Sequence, residues 1–415
     1  MVQKIETIII GGGQAGLSTS YYLNQLGLEN IVLEQATKAG NAWRNERWDS
    51  FTLLTPNWSF QLPGAGYQDR SPDGFMLRDE IVSRFEKYIE KFHLPVNYQV
   101  RVNSVDQNGN GYLVRTKETT WEARNVLLAT GLFQGAKIPL FSTGISADIL
   151  QLHSGEYRNP QSLPAGGVLV VGTAQSGCQI AEELYQSGRK VFLCVGTAGR
   201  VPRRYRGKDV YEWMNLSGFL DRTVDKLPSP GAKFWGNPHV TGKDGGRTLN
   251  LHQFARDGVV LLGRLQNARD DMVWLAPDLK ENLAKVDKFE TEIVKMVDGY
   301  ISQNGLNIPA ERLPELTDGY QAKEIADLNL LSAGIKTIIW AVGYKFDFSL
   351  VKLPIFDNDG FPFQKRGVTD YPGLFFMGLP WLYKYKSGHL IGVGEDANYI
   401  ASAIANRHSQ SFNWQ

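Results

Sequence analysis

Three glycines and one carboxylate within the first 34 residues carry the earliest chemical signal in the chain. Gly11, Gly13 and Gly16 stand in the order G-x-G-x-x-G, and Glu34 follows eighteen residues after Gly16. In such a turn the first glycine permits a sharp change of direction. The second lets backbone approach a pyrophosphate, and the third lets a helix lie close on a strand. The phosphates of a dinucleotide would meet unpaired N–H groups at the helix N-terminus, and Glu34 would accept hydrogen bonds from ribose hydroxyls. The pattern returns 161 residues later as Gly172-x-Ala174-x-x-Gly177. Here Ala174 replaces the middle glycine, and Cys194-Val195-Gly196 stand where the first copy has its acid. Arg200, Arg203, Arg204 and Arg206 follow. An acid binds a free 2′-hydroxyl and repels a 2′-phosphate, whereas arginine forks pair with that phosphate. The first turn therefore suits a dinucleotide without the extra phosphate and the second suits NADP. A solvated basic loop is the other reading of the arginines.

Both turns sit between a strand and a helix. Ile8–Glu34 reads strand, turn, helix, strand, and Gly167–Gly188 followed by Lys190–Val195 repeats it, with Gly27 and Gly188 as helix stops. A helix is predicted over Arg78–Phe92, and strands over Tyr98–Val105, Gly111–Lys117, Asn125–Gly131, Ile335–Gly343 and Gly373–Gly378. Leu249–Arg264 and Lys280–Gln303 read as helical or mixed, and a last helix runs from about Glu395 to Ala405. Lys38–Pro63 is rich in tryptophan, arginine and turn residues and keeps no sustained period, as functional loops often do. The fold class is α/β, with two Rossmann-like dinucleotide-binding domains. The first is split into residues 1–155 and 331–415, and the second, with a substrate region, is inserted as 156–330.

The chain has 415 residues and a net charge of +1, so no global field favours nucleic acid or an acidic surface. Cys178 and Cys194 fall in neither a redox nor a zinc spacing, which argues for inert core thiols and against a metal site. The sequence enters its first strand almost at once and has no apolar run of membrane-spanning length, so a cytoplasmic protein is expected. Trp235 and Trp274 read as core or interface.

This combination resembles the class B flavin-dependent monooxygenases, the group of flavin-containing monooxygenases and plant YUCCA-type enzymes. The resemblance rests on both glycine turns, Glu34, Trp43-Arg44, Leu62-Pro63, Ala129-Thr130-Gly131, Ala341-Val342-Gly343-Tyr344 and Gly394-Glu395-Asp396-Ala397. Of the family's linker motif only His153, Ser154 and Tyr157 match, Ala147 and Ile149 occupying the leading Phe and Gly positions. The run Arg47–Gly64, with Ser71–Phe75, looks most like a bacterial branch associated with nitrilase-containing gene clusters. The resemblance implies FAD in the first domain and NADPH in the second. It also implies a C4a-hydroperoxide that passes one oxygen atom to the nitrogen, sulfur or carbonyl carbon of a small metabolite. The implied partners are that substrate and O2, with a homodimer compatible; the rivals are a flavin reductase and a flavoprotein with a decayed nicotinamide site. FAD contacts are implied for Gly11, Gly13, Gln14, Ala15, Gly16, Glu34, Gln35, Trp43, Arg44, Val102, Ala129, Thr130, Gly131, Gly378 and Asp396. NADPH contacts are implied for Gly172, Ala174, Gln175, Ser176, Gly177, Arg200, Arg203 and Arg204. The family's active-site asparagine aligns with Leu54, which leaves Thr55 and Asn57 as the nearest polar candidates for oxygen chemistry. His153 and His389 are read either as cofactor neighbours or as fillers. The loop Trp381–Lys386 is read either as a substrate wall with an anionic preference or as a surface strand.

Overall fold

The computed structural model describes residues 2–409. Its first sheet grows from Val2–Ile10 (β1), whose β-branched residues Ile8, Ile9 and Ile10 are enclosed. A parallel strand covered on both faces needs such an unbroken apolar run. Gln14–Gln25 (α1) follows, then Asn30–Leu33 (β2), which pairs parallel to β1 with Ile8 opposite Ile31 and Ile10 opposite Leu33. Arg78–Phe92 (α2) buries Ile81, Val82, Phe85 and Tyr88 along one face and places Asp79 and Glu80 in its first turn, where the helix dipole favours acids. Val96–Asn97 (β3) edges β2. Val102–Asn108 (β4), Gly111–Thr116 (β5) and Thr120–Leu128 (β6) form an antiparallel meander whose last strand lies parallel to β1. The order is β3-β2-β1-β6-β5-β4.

The second sheet is wholly parallel. It contains Leu150–His153 (β7), Gly167–Val171 (β8), Val191–Cys194 (β9), Val260–Leu262 (β10) and Ile335–Trp340 (β11) in the order β7-β11-β8-β9-β10. Gln175–Gln186 (α3) links β8 to β9, and Val210–Leu216 (α4), Leu251–Arg256 (α5) and Leu279–Gln303 (α6) belong to the same insertion. Leu374–Phe376 (β12) then returns to pair with β6, and Val393–Ser409 (α7) packs on α1. One continuous apolar core runs through both units, including Ile9, Leu127, Val170, Ile180 and Ile400.

The expected boundaries at 155, 156, 330 and 331 need correction. Strands β7 and β11 hydrogen-bond into the second sheet, so that sheet reaches beyond 156–330 at both ends. The cause is a likeness between two strand ends. Ala129-Thr130-Gly131 follows β6 beside the first glycine turn, and a side chain on Gly11 would strike the Ala129 carbonyl. Ala341-Val342-Gly343 follows β11 beside the second turn, and a side chain on Gly172 would strike the Ala341 carbonyl. The internal repeat thus has three parts in each unit: a glycine turn, a helix and an A-x-G shelf. Ala341–Gly343 is the shelf of the second unit, although its sequence looks like a continuation of the first domain.

Each helix is pressed onto its turn by the last glycine of the motif. A methyl on Gly16 would collide with the Gly11 carbonyl, and one on Gly177 with the Gly172 carbonyl. Gly177→Ala should therefore push α3 off β8 and destabilise the protein by about 1–3 kcal/mol, the usual range for overpacking. Thermal denaturation against the wild type is the check, and an unchanged melting temperature would contradict this packing.

Candidate functional site

Gly13 is the N-cap of α1, has extended backbone, and provides no side-chain cap. Nothing lies within 4 Å of where its Cβ would be, so the first N–H groups of α1 face open space of the kind an anion fills. Glu34 is buried at the end of β2 and turned back into this turn. Its Oε2 accepts from the Gly12 N–H at 2.7 Å and its Oε1 from the Ala36 N–H at 2.8 Å. Those bonds hold the carboxylate beside the turn and leave its further lone pairs for ribose hydroxyls. Ala15 is buried in the first turn of α1, and Gly378, at φ +75, comes so close that a Cβ there would lie 3.0 Å from the Ala15 Cβ. Gln14 Nε2 donates to the Gly388 carbonyl at 2.9 Å, tying α1 to the loop before α7. Thr130 and Gly131 are held by Gln134, whose Nε2 donates to the Thr130 hydroxyl (2.6 Å) and the Gly131 carbonyl (2.9 Å).

The other expected FAD contacts are more dispersed. Trp43 packs near Phe51, and the Arg44 guanidinium pairs with Glu86 of α2 at 2.8 Å. Val102 is buried at the start of β4, whereas Gln35 is exposed. Asp396 is buried in the first turn of α7, with Arg366 Nε 3.4 Å from its Oδ1 and no hydrogen-bond partner for Oδ2. Burial raises its carboxyl pKa.

The second turn repeats the geometry with different chemistry. Ala174 is the N-cap of α3 in extended backbone, and Gln175 and Ser176 open the helix half-buried. Thr173 Oγ1 accepts from the Gly196 N–H at 2.9 Å. The bond that ties the strand end to the turn through Glu34 in the first unit is thus made in reverse, by a hydroxyl on the turn, and no acid stands at the end of β9. The backbone of Gly236 covers this turn: a Cβ built there would lie 3.3 Å from the Ala174 Cβ and 3.4 Å from the Ala198 Cβ.

The arginines are not gathered as a phosphate clamp, which corrects the expectation for Arg200, Arg203 and Arg204. Arg200 is buried and paired with Asp287 (2.8 Å) and Glu290 (2.6 Å) of α6. Arg203 is buried, pairs with Asp209, donates to the Leu54 carbonyl at 2.8 Å and covers the Phe75 ring. Arg204 donates to the carbonyls of Gly245 (2.8 Å) and Gly246 (3.0 Å), and Arg206 pairs with Asp298 at 3.1 Å. Apart from Asp209, six residues after Arg203, these carboxylates and carbonyls lie far along the chain from the arginines, so spacing alone could not reveal them.

Asn57 and Thr55 are both engaged in local hydrogen bonds. Asn57 is buried; its Oδ1 accepts from the Met76 N–H (2.7 Å), and its Nδ2 donates to the Ser71 carbonyl (3.0 Å) and lies 3.3 Å from the Tyr67 hydroxyl. These bonds pin the loop 67–76. Thr55 Oγ1 accepts from the Ser59 hydroxyl at 2.6 Å. His153 fills the linker: its Nδ1 accepts from the Gly155 N–H, which leaves Nε2–H to donate to the Gly343 carbonyl at 3.0 Å. The loop Trp381–Lys386 is not a strand. It leads into a short turn, Tyr385–Gly388, and Lys384 and Lys386 pair with Asp221 and Glu395. Trp235 and Trp274 are 69% and 38% exposed, so neither is core. The aromatic partner that sequence reasoning missed is Tyr211, on α4, whose hydroxyl is 3.1 Å from His389 Nδ1.

A family model described as pyridine nucleotide-disulphide oxidoreductase matches residues 8–214. A CzcO-like oxidoreductase of Geobacillus kaustophilus is 30% identical over 409 residues, covering 98% of this chain and all of its own. The probable indole-3-pyruvate monooxygenase YUCCA3 of Arabidopsis thaliana is 27% identical over 96% of this chain and 86% of its own. A flavin-containing monooxygenase from Stenotrophomonas maltophilia superposes with a TM-score of 0.67 at 20% identity, covering 98% of this chain and all of its own. The paired dinucleotide units and these likenesses define an oxidoreductase of the class B flavin monooxygenase family. Within that family, the chain belongs with the CzcO-like oxidoreductases. Its two thiols are buried and held protonated, Cys194 with a pKa pushed up to about 12 by burial and Cys178 raised by the same cause. Among the described residues no helix is long and apolar enough to cross a membrane, and no cluster of side chains is suited to a metal ion.

Arg203→Ala strands Asp209 in the interior and should cost about 3–5 kcal/mol of stability. In thermal denaturation it should lower the melting temperature, and in steady-state assays it should shift NADPH and NADH equally. A loss confined to NADPH would restore the clamp reading. Burial lowers the pKa of His239 to about 3 and of His389 to about 4, with Arg200 adding to the effect at His239. An unfolded histidine titrates near 6.5, so below that pH the unfolded chain binds protons that the folded chain refuses. Stability should thus fall from about pH 6.5 towards 4, by up to about 1.4 kcal/mol per pH unit for each histidine. Denaturant titrations across this window should show a shallower slope for His239→Gln; an identical slope would contradict the assignment.

Proposed function

We propose that the protein is an NADPH- and O2-dependent FAD monooxygenase that transfers one oxygen atom to a small metabolite. The observation that carries this reading is the difference between two otherwise matched turns. One is open and acid-lined at the ribose position; the other has no acid there. The first turn fits FAD: Gly13 and the uncapped start of α1 would receive its pyrophosphate, Glu34 its ribose, and Thr130-Gly131 and Gly378 would flank it. When bound, FAD accepts hydride and activates oxygen; the chain binds, orients and shields it. The start of α7 would turn its positive end toward the flavin ring. The second turn admits a 2′-phosphate because no carboxylate repels it, even though the expected arginines are engaged elsewhere.

Access to the second turn is conditional. Gly236 lies where a pyrophosphate would approach Ala174, and its segment is anchored on the first unit by Phe234 against Phe346 and Phe361 and by Lys233 near Asp357. NADPH binding therefore requires this strap to lift. The Cβ separation of 3.3 Å lies just under the disulfide range of about 3.5–4.5 Å, so a shift of a few tenths of an ångström would admit the bridge. In the double variant Ala174→Cys, Gly236→Cys, oxidation should abolish NADP+ binding by calorimetry, leave FAD content unchanged, and be reversed by dithiothreitol. Full NADP+ affinity in the oxidised form would place the site elsewhere.

Turnover separates the rival functions. Anaerobic NADPH should bleach the flavin, and with substrate and 18O2 the label should enter product. If bleaching is fast but all consumed oxygen appears as hydrogen peroxide whatever compound is offered, the protein is a flavin reductase. If NADPH does not bleach the flavin, the nicotinamide site has decayed to a structural role.

A further inference from the structure

With the arginines after β9 engaged, the second unit still needs a cation where a 2′-phosphate would lie, at the end of that strand. The internal repeat shows which segment reaches this place. In the first unit β3 edges β2, with Leu33 opposite Asn97, and the Glu34 N–H donates to the Asn97 carbonyl at 2.9 Å. The chain leaving β3 then folds over the strand end. There the N–H groups of Gln99 and Val100 donate to the carbonyls of Ala36 (3.0 Å) and Glu34 (2.9 Å). In the second unit β10 edges β9 in the same way, with Cys194 opposite Leu262, and the Val195 N–H donates to the Leu262 carbonyl at 2.9 Å. Counting on from these pairs, Val195 matches Glu34 and Arg264 matches Gln99. A cation thus leaves the neighbouring strand beside the position that lacks an acid.

Arg200, Arg203 and Arg204 direct both Nη groups at carboxylates or carbonyls of the protein. Arg264 does not. Its Nε donates to Asp278 Oδ2 at 2.5 Å and its backbone N–H to Oδ1 at 2.9 Å, while neither Nη donates to any described residue. The side chain is 65% exposed. Asp278 is the N-cap residue of α6, and one turn on Asn282 Nδ2 donates to the Val195 carbonyl at 3.1 Å. The start of α6 therefore sits on the end of β9. A side chain on Gly263 would strike the Ala276 carbonyl, so bare backbone brings Arg264 against this helix start. Asp278 holds the guanidinium by one edge and leaves the Nη fork for a second anion, the geometry that matches a phosphate. Arg264 in turn offsets the Asp278 carboxylate, which alone would repel a phosphate here.

We propose that Arg264 receives the 2′-phosphate of NADPH and that Asp278 positions it. The assignment rests on the NADPH reading of the second unit, and its test needs no turnover. Adenosine 2′,5′-bisphosphate and AMP differ only by the 2′-phosphate, so any cost of displacing the Gly236 segment is common to both. In calorimetric titrations of the FAD-loaded wild type, the bisphosphate should bind about five- to fiftyfold more tightly, as hydrogen bonds to a charged group allow. Arg264→Ala should bring the two affinities within about twofold of each other, by loss on the bisphosphate side alone. AMP affinity and FAD content should stay unchanged, because an exposed ion pair adds little to stability. Arg264→Lys, which keeps the charge but not the fork, should retain part of the preference. A preference that survives Arg264→Ala, or a fall in AMP affinity of equal size, would overturn the assignment and leave the NADPH reading standing. A wild type that binds neither probe, or both equally, would overturn the two together.

Discussion

Everything in this molecule depends on how closely two helices approach two strands. Gly16 over the Gly11 carbonyl and Gly177 over the Gly172 carbonyl are contacts at which no side chain fits. They set each helix axis so that its first N–H groups point along the strand ends, where a diphosphate would lie. The A-x-G shelves press on the same turns from the neighbouring strands. Close approach therefore serves packing and binding together, and the glycines cannot be exchanged for one purpose without loss of the other.

Much of this was legible in the sequence because it is local. The glycine spacing, the acid after β2 and the apolar runs of β1 and β8 are each fixed by a few consecutive residues. The helix Arg78–Phe92 was readable to its ends for the same reason. What escaped was decided by partners remote in sequence. Arg203 and Arg200 read as a phosphate clamp until Leu54, Asp287 and Glu290 are placed around them. Asn57 read as a catalytic candidate because its hydrogen bonds to the loop 67–76 leave no trace in the residues around it. Residues 331–343 were placed with the first domain because the strands that β11 pairs with lie far from it in sequence.

Ala174 illustrates how one substitution changes meaning with context. As a deviation from a glycine motif it suggests weakened phosphate binding. With Gly236 against it, the methyl is a contact surface for a segment of the insertion. The methyl at Ala174 is met by a residue without a side chain, Gly236 of the insertion.

The seam between the units is made of polar groups that belong to both. Glu183 of α3 accepts from Ser50 (2.5 Å) in the first unit and from Tyr157 (2.9 Å) in the linker, and Arg203 reaches the Leu54 carbonyl. The insertion is consequently not a transferable cassette. Grafted onto another flavoprotein scaffold, it would bring a carboxylate and a guanidinium whose complements stay behind, and a chimera would need residues 50–54 and 153–157 to travel with it. Recombination between relatives should be tolerated only where these three segments share a parent.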